Sequence, residues 1–289
     1  MTLHPGAPRD PRSAERSALP MPIHPTSIID RHAEIDPSAE IGPYAIIDGP
    51  AVIGARTRVL AHAVVTGRTL IGADNVIHYG AVLGDTAQDL TSTGQESALR
   101  IGDRNVFREN CHIHRGSKPG GETVIGDDNY FMSQSHVAHD CQLSDHIIMA
   151  SGSLLGGHVE VGDRVFVSGN CVVHQFVRIG RLAFLRGLSR ASRDVPPFCM
   201  MDETHTLRGV NVVGLRRAGF GADQIRALRG AYRCLFRTRR NLRLAMAELE
   251  SEPCTPEVAH LLAFIRSSRR GVCVGPRHGA QHGAQDDSQ

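Results

Sequence analysis

Histidine changes charge near neutral pH, so it is the usual side chain for moving protons and a common metal ligand. This chain places four histidines in one short stretch: His136-Val137-Ala138-His139-Asp140, then Gly156-Gly157-His158, then His174-Gln175. Two chemistries use such groups. One is proton transfer by an imidazole. The other is hydration at a zinc held by three imidazoles with one open position. With 16 histidines in the chain, a chance surface cluster is the reading to beat. What decides is whether the intervening elements bring the four together.

Those elements follow a period of six. Apolar residues recur at Ile23, Ile29, Ile35, Ile41, Ile47, Ile53, Val59, Val65, Ile71, Ile77 and Leu83, then at Ile101, Phe107 and Ile113, then from Ile125 through Phe131, Val137, Leu143, Met149, Leu155, Val161, Val167, Val173 and Ile179 to Leu185. A small or β-branched residue stands four positions after most of them, as at Ala39, Ala45, Thr57, Ser135 and Ser153. Six fits neither the helical 3.6 nor a plain alternation. The small slot and the next aliphatic are two apart, so in a strand they share one face, which points inward. Gly after the aliphatic, with Asp or Asn nearby, is expected to supply a bend. A short strand and a bend per hexad is the mark of a parallel β-helix, and three hexads make one triangular coil. The expected fold is an all-β solenoid, a left-handed parallel β-helix, followed by a small α-helical C-terminal domain. On that frame the four histidines, spaced near one coil length, cluster at one edge. His136 and His174 flank the aliphatic slot and face outward; His139 and His158 fall at the bend.

The expected organisation is an extension at 1–22, the β-helix at 23–195, a helical domain at 196–270 and a tail at 271–289. The extension is rich in Pro, Arg and Ser and has no apolar core of a secretory signal; both ends are expected to be disordered. Two excursions leave the coil. In 86–99 the in-phase residues are Asp89 and Gln95, and in 115–122 Pro119 takes the aliphatic slot. Loops thrown from a rigid scaffold often carry function. Helices are expected over 221–236, 242–249 and 257–265. Cys111, Cys141 and Cys171 fall in the small inward slot and read as core residues, which points to a reducing, cytoplasmic location. A net charge of +2 selects no partner, and no apolar run has transmembrane length. The arginines of the helical domain suit an acidic partner. Nucleic acid is not expected, because no aromatic residues are interleaved with them.

Several segments carry a resemblance to a known family. They are Gln88-Asp89-Leu90, Ile113-His114-Arg115-Gly116, the His136–Cys141 segment, Gly157-His158-Val159, Val173-His174-Gln175-Phe176, Asp194-Val195-Pro196-Pro197, Gly209-Val210-Asn211 and Gly214-Leu215-Arg216-Arg217. In order and spacing the chain resembles the UDP-N-acetylglucosamine acyltransferases of lipid A biosynthesis. The resemblance implies a homotrimer with sites between subunits. It implies transfer of a 3-hydroxyacyl group from acyl carrier protein to the glucosamine 3-position of UDP-N-acetylglucosamine. No cofactor or metal is implied, because the acyl donor rides on the phosphopantetheine of the carrier. By the same resemblance His139 is the general base, Asp140 orients it, and the Gly157 N–H stabilises the oxyanion. Gln88 and Asp89 bind sugar. His136, His158, His174 and Gln175 hold sugar, diphosphate and pantetheine. Gly187 limits acyl length, and Asn211 and Arg217 reach the nucleotide.

Four positions depart from the family pattern: Thr91 where a Lys is usual, Val213 for a Glu, Ala218 for an Arg and Arg186 for a Gly. Three other readings stay open. One is a hydratase of the γ-carbonic-anhydrase kind. Another is a non-catalytic paralogue binding nucleotide or carrier protein. The third is the same acyl transfer onto a 3-amino UDP-sugar.

Overall fold

Each hexad aliphatic from Ile29 on ends up in a strand of two to four residues, Ile23 forming only a bridge to Ile41, and successive coils pair in parallel: Ile28–Ile29 with Ile46–Asp48, and His136–Val137 with Leu154–Leu155. The computed structural model describes residues 22–92, 96–238, 241–251 and 253–275; most of the extension and of the tail lies outside them. The strands form three sheets of nine, eight and ten. Face 1 runs from Ile28–Ile29 to Arg190–Ala191, face 2 from Glu34–Ile35 to Arg178–Ile179, and face 3 from Glu40–Ile41 to Phe184–Leu185 and beyond. Together they are the sides of a left-handed parallel β-helix.

The inward slots fill as their residue types require. Ile47, Leu83, Phe107, Phe131 and Val137 are fully buried, and Phe107 stacks on Phe131 with ring centroids 4.9 Å apart. Cys111, Cys141 and Cys171 are free, buried thiols in the small slot; burial pushes the Cys141 thiol up to about 12, which leaves it inert.

Of the positions read as the bend, the Asp and Asn ones hold and the Gly after the aliphatic does not. The left-handed residue is not the Gly after the aliphatic but the third residue after it: Asp128, Gln134, Asp140, His146, His158, Arg164, Asn170 and Phe176 all have φ between 55° and 63°. Each non-glycine there costs roughly 1 kcal/mol, which the coil-to-coil ladders offset. Gly after the aliphatic answers a different need. A Cβ on Gly54 would lie 2.5 Å from the Gly72 carbonyl carbon of the next coil, because coils stacked at strand spacing leave no room there.

Both excursions are present. The first runs over residues 86–92 and 96–97, with 93–95, Gln95 among them, outside the described residues; the coil resumes at Ala98, where Leu99 is fully buried and in register with Thr69. The second spans residues 115–121, between His112–His114 and Glu122–Ile125.

Parallel pairing runs past Val195 to Cys199–Asp202, where Thr206–Val210 turns back antiparallel. Among the described residues four helices follow: α1 (Val212–Arg217), α2 (Ala222–Tyr232), which continues into a π-helical turn at Arg233–Arg237, α3 (Leu242–Glu250) and α4 (Pro256–Arg266). In α4, Thr255 caps the helix, Pro256 starts it, and Val258, Leu261, Leu262 and Ile265 are buried. Residues 271–275, read from sequence as the start of the tail, return to the β-helix instead: Val272 bridges to Asp194 and Val274 to Thr206. Among the described residues no helix is long and apolar enough to cross a membrane.

Candidate active site

The corner after face 1 gathers the chemistry. Successive coils put His139, Gly157 and Gln175 in one column and Asp140, His158 and Phe176 in the next. The His158 N–H donates to the His139 carbonyl at 3.0 Å and the Phe176 N–H to the Gly157 carbonyl at 2.9 Å. His158 therefore stands over Asp140 rather than over His139.

His139 is only 8% exposed, more enclosed than a bend residue on the outside of a coil would be. Its Nδ1 lies 2.8 Å from Asp140 Oδ2. Asp140 is itself held in place. The Ser117 N–H, from the second excursion, points at both carboxylate oxygens at 3.3 and 3.1 Å, and the Asp140 N–H donates to Thr123 Oγ1 at 2.8 Å. Burial alone would raise the Asp140 carboxyl, but the hydrogen bonds from Ser117 and His139 outweigh it and hold the group below the usual carboxylate range. An ionised carboxylate can only accept, so His139 Nδ1 carries the proton and, in the neutral imidazole, Nε2 has the free lone pair.

That Nε2 faces Gly157. A Cβ at Gly157 would come within 2.6 Å of Nε2 and 2.5 Å of Cε1, so only glycine fits. Among the described residues no acceptor takes the Gly157 N–H. His158 meets the His139 ring edge-on at 5.2 Å, lies 3.6 Å from Asp140 Oδ2, and is stacked by Phe176 at 4.6 Å.

His136 lies on face 1 just before the corner. Burial, then the neighbouring His114, His112 and His139, lowers it to about 4, so it is a neutral imidazole at pH 7. His114, with its ring 5.2 Å away, hydrogen-bonds the Thr86 carbonyl at 2.6 Å. His174 and Gln175 are exposed one coil beyond Gly157, and Arg270 reaches to 3.4 Å from His174 Nδ1.

The first excursion carries Gln88 and Asp89, the first exposed and the second half-buried. The Thr91 amide and hydroxyl both donate to Asp89 Oδ1 at 2.9 Å and hold its carboxyl below the usual range, with a smaller influence from His139. The departure at Thr91 is thus a residue that shapes the Asp89 turn.

Three sequence-predicted residues do not reach this corner in one chain. Gly187 lies at the corner after face 3, where a Cβ would meet the Gly169 carbonyl oxygen at an unstrained 3.6 Å, and its neighbour Arg186 turns away to Asp202 at 3.0 Å. Asn211 is buried: its Oδ1 caps α1 at Gly214, and its Nδ2 donates to the Leu182 carbonyl at the corner after face 2. Arg217 is exposed on α1. Among the described residues, the groups able to hold a metal are His139, Asp140 and His158, whose ligand atoms lie within 4.8 Å of one another. That is two imidazoles and a carboxylate; among the described residues His136 and His174 do not complete the three-imidazole set.

Sequence reasoning assigned no role to Ser117, Thr123 or Phe176. Phe176 carried a signal, directly following His174-Gln175 at the left-handed position. Thr123 carried a weak one as a hydroxyl in a small slot. Ser117 carried none, because it acts through its backbone.

Residues 194–273 match the family model described as UDP N-acetylglucosamine O-acyltransferase, domain 2. The chain is 45% identical over 255 residues to an acyl-[acyl-carrier-protein]–UDP-N-acetylglucosamine O-acyltransferase of Anaeromyxobacter sp. strain K, covering 87% of this chain and 99% of that one. It is 48% identical over 261 residues to the protein of the same description from Burkholderia orbicola strain MC0-3, covering 86% and 98%. Its structure matches a solved UDP-N-acetylglucosamine acyltransferase from Bacteroides fragilis 9343 with a TM-score of 0.84 at 36% identity, covering 86% and 99% of the two chains.

Proposed function

We propose the following chemistry for a chain that belongs to the acyl-[acyl-carrier-protein]–UDP-N-acetylglucosamine O-acyltransferase family: transfer of a 3-hydroxyacyl group from acyl carrier protein to the 3-hydroxyl of UDP-N-acetylglucosamine, the first step of lipid A biosynthesis. His139 Nε2 takes the proton of the sugar hydroxyl as its oxygen attacks the thioester carbonyl. The Gly157 N–H donates to the oxyanion of the tetrahedral intermediate. Collapse expels the phosphopantetheine thiolate, which recovers the proton from the His139 imidazolium. Asp140 keeps the proton on Nδ1 and stabilises the imidazolium when it forms.

The observation that carries this reading is the bond between His139 Nδ1 and an ionised Asp140, which frees Nε2 beside a glycine. Gln88 and Asp89 bind the sugar. His136, His158, His174 and Gln175 line the path of sugar, diphosphate and pantetheine. Gly187 leaves room for the end of the acyl chain. Arg217 takes a phosphate, for which guanidinium is well shaped, and Asn211 serves it by capping α1. The reaction needs no cofactor beyond the donor's own phosphopantetheine, and its place is the cytoplasm.

The site is completed in a homotrimer, and the outward columns favour one. Face 1 presents Ile28, Ile46, Val64, Val82, Leu154 and Val172, broken by His112, His136 and Arg190, and face 3 presents Val76, Val106, Tyr130, Ile148, Phe166 and Phe184 after Glu40 and Arg58. Face 2 presents Glu34, Arg100, Gln142, Glu160 and Arg178, with Val52, Leu70 and Val124 between them. Two mainly apolar sides and one mainly polar side suit three prisms packed about a three-fold axis. That packing lets a neighbour supply the Gly187 corner.

The test is to incubate the protein with 3-hydroxyacyl carrier proteins of several chain lengths and either UDP-N-acetylglucosamine or its 3-amino analogue. Mass spectrometry is expected to show the acylated sugar, and to lose it in His139→Ala. Product only from the 3-amino acceptor would change the sugar, and no product from any pair would point to a non-catalytic carrier-binding protein.

A further inference from the structure

The two excursions are zipped into one unit. The Arg115 N–H donates to the Asp85 carbonyl, the Gly116 N–H to that of Ala98, the Ala98 N–H to that of Gly121, and the Gly120 N–H to that of Glu96, at 3.0 to 3.3 Å. The Arg115 side chain adds a bond to the Gly84 carbonyl at 2.8 Å, and His114 reaches Thr86 in the same way.

One thread through this unit leads to the catalytic pair. In the first excursion the Ser92 N–H closes the Asp89 turn on the Asp89 carbonyl at 2.9 Å. The Ser92 hydroxyl donates to the Ser117 carbonyl at 2.8 Å. Ser117 is 1% exposed, and its N–H is the group aimed at both oxygens of Asp140. The fit around Asp140 is tight, since a Cβ on Gly121 would stand 2.8 Å from its Oδ1. A carboxylate positioned by a backbone N–H moves whenever the residue carrying that N–H moves, and Ser92 grips Ser117 at the carbonyl on the other side of its Cα, in the next peptide unit.

We infer that Ser92 is a positioning residue for the acyl transfer. Its hydroxyl anchors Ser117 by its carbonyl, so that the residue's N–H stays on Asp140 and Asp140 orients His139, and thereby ties the Asp89 turn, where the sugar is proposed to bind, to the base. This inference rests on the assignment of His139 and Asp140 above. Sugar bound at Asp89 fixes the Ser92 turn, and the fixed turn sharpens the His139–Asp140 geometry. Ser92 touches neither base nor reacting atoms, so its effect reaches turnover through Asp140.

The test uses the full-length protein. Ser92→Ala is expected to lower kcat about tenfold, the scale of a small misplacement of a catalytic group, with KM for the acyl donor unchanged. Ser92→Thr, which keeps the hydroxyl, restores kcat. In an Asp140→Asn background Ser92→Ala has no further effect on kcat, because the group it acts through is already altered. Wild-type kcat in Ser92→Ala, an equal loss in Ser92→Thr, or an undiminished tenfold loss on top of Asp140→Asn each overturns the inference. His139→Ala is assayed in parallel. Full activity there removes the base assignment itself, whereas loss there with an unaffected Ser92→Ala removes the Ser92 thread alone.

Discussion

The corners after face 1 and face 2 are built on the same backbone and do different work. Both turn through a left-handed residue three positions after the aliphatic, Asp140 and His158 in one, Asp128 and His146 in the other, with φ of 56° to 58°. After face 2, the N–H two residues past the aliphatic is capped by the carboxylate of the next coil. Ala73, Asp103, Asp127 and Asp145 donate in turn to Asp103, Asp127, Asp145 and Asp163 at 2.7 to 3.3 Å. That corner is a ladder whose donors are spent on structure. After face 1 the matching residues are His139, Gly157 and Gln175. Among the described residues no carboxylate caps the Gly157 N–H, and an oriented imidazole stands beside it. One solenoid thus satisfies its turns at one edge and leaves a donor free at another, and the free donor is where charge can be stabilised.

The comparison breaks most sharply at His139. His139→Ala is expected to lower kcat by about 10³, within the usual range for a general base, while the circular dichroism spectrum and oligomeric state stay as in the wild type. Asp145→Asn, at the capped corner, leaves kcat unchanged; equal losses in the two variants would end the distinction between corners.

Adding one methyl group tests the same difference. Gly157→Ala forces a Cβ against the His139 ring and is expected to cost about 10² in kcat through displacement of the base. Gly169→Ala, at the corner after face 3, meets only the Ser151 carbonyl at 3.4 Å and stays near wild type. Steady-state kinetics of the pair decides it.

The faces differ in their response to pH as well. The unfolded chain protonates an ordinary histidine near 6.5, but burial keeps folded His136 neutral down to about 4. Between these values the unfolded chain binds more protons, so stability falls as the pH falls. Through this residue it loses about 2 kcal/mol between pH 7 and pH 5. Urea denaturation at the two pH values is expected to show that loss in the wild type and a correspondingly smaller one in His136→Leu, which copies Leu154 one coil on.

The smallest effect sharpens the account of capping. Gln175→Asp places a carboxylate one coil past Gly157, as the face 2 corner does for its own donors. It is expected to fall about tenfold below Gln175→Ala in kcat, part of the value of an oxyanion donor. Equal rates for the two would mean that the Gly157 N–H is not the donor.

The linear chain determined the solenoid and much of its cargo. Residues six apart, such as Val137, Leu143 and Met149, share an inward column whatever the rest of the chain does, because a period of six with a small residue two before each aliphatic admits one arrangement of strands and bends. His139 and Asp140 are sequence neighbours, so their pairing was local enough to read. Tertiary structure alone decided three things. It put the strain of the bend on Asp140, His158 and Phe176 and gave the adjacent glycines to coil contact, since the close approach of Gly54 to Gly72 exists only once coils stack. It set His158 over Asp140 rather than His139, because register, not spacing near one coil length, fixes the column. And it brought the Ser117 N–H from a separate excursion onto Asp140. Every residue but proline carries that N–H, so no pattern of side chains can reveal which one the fold will use.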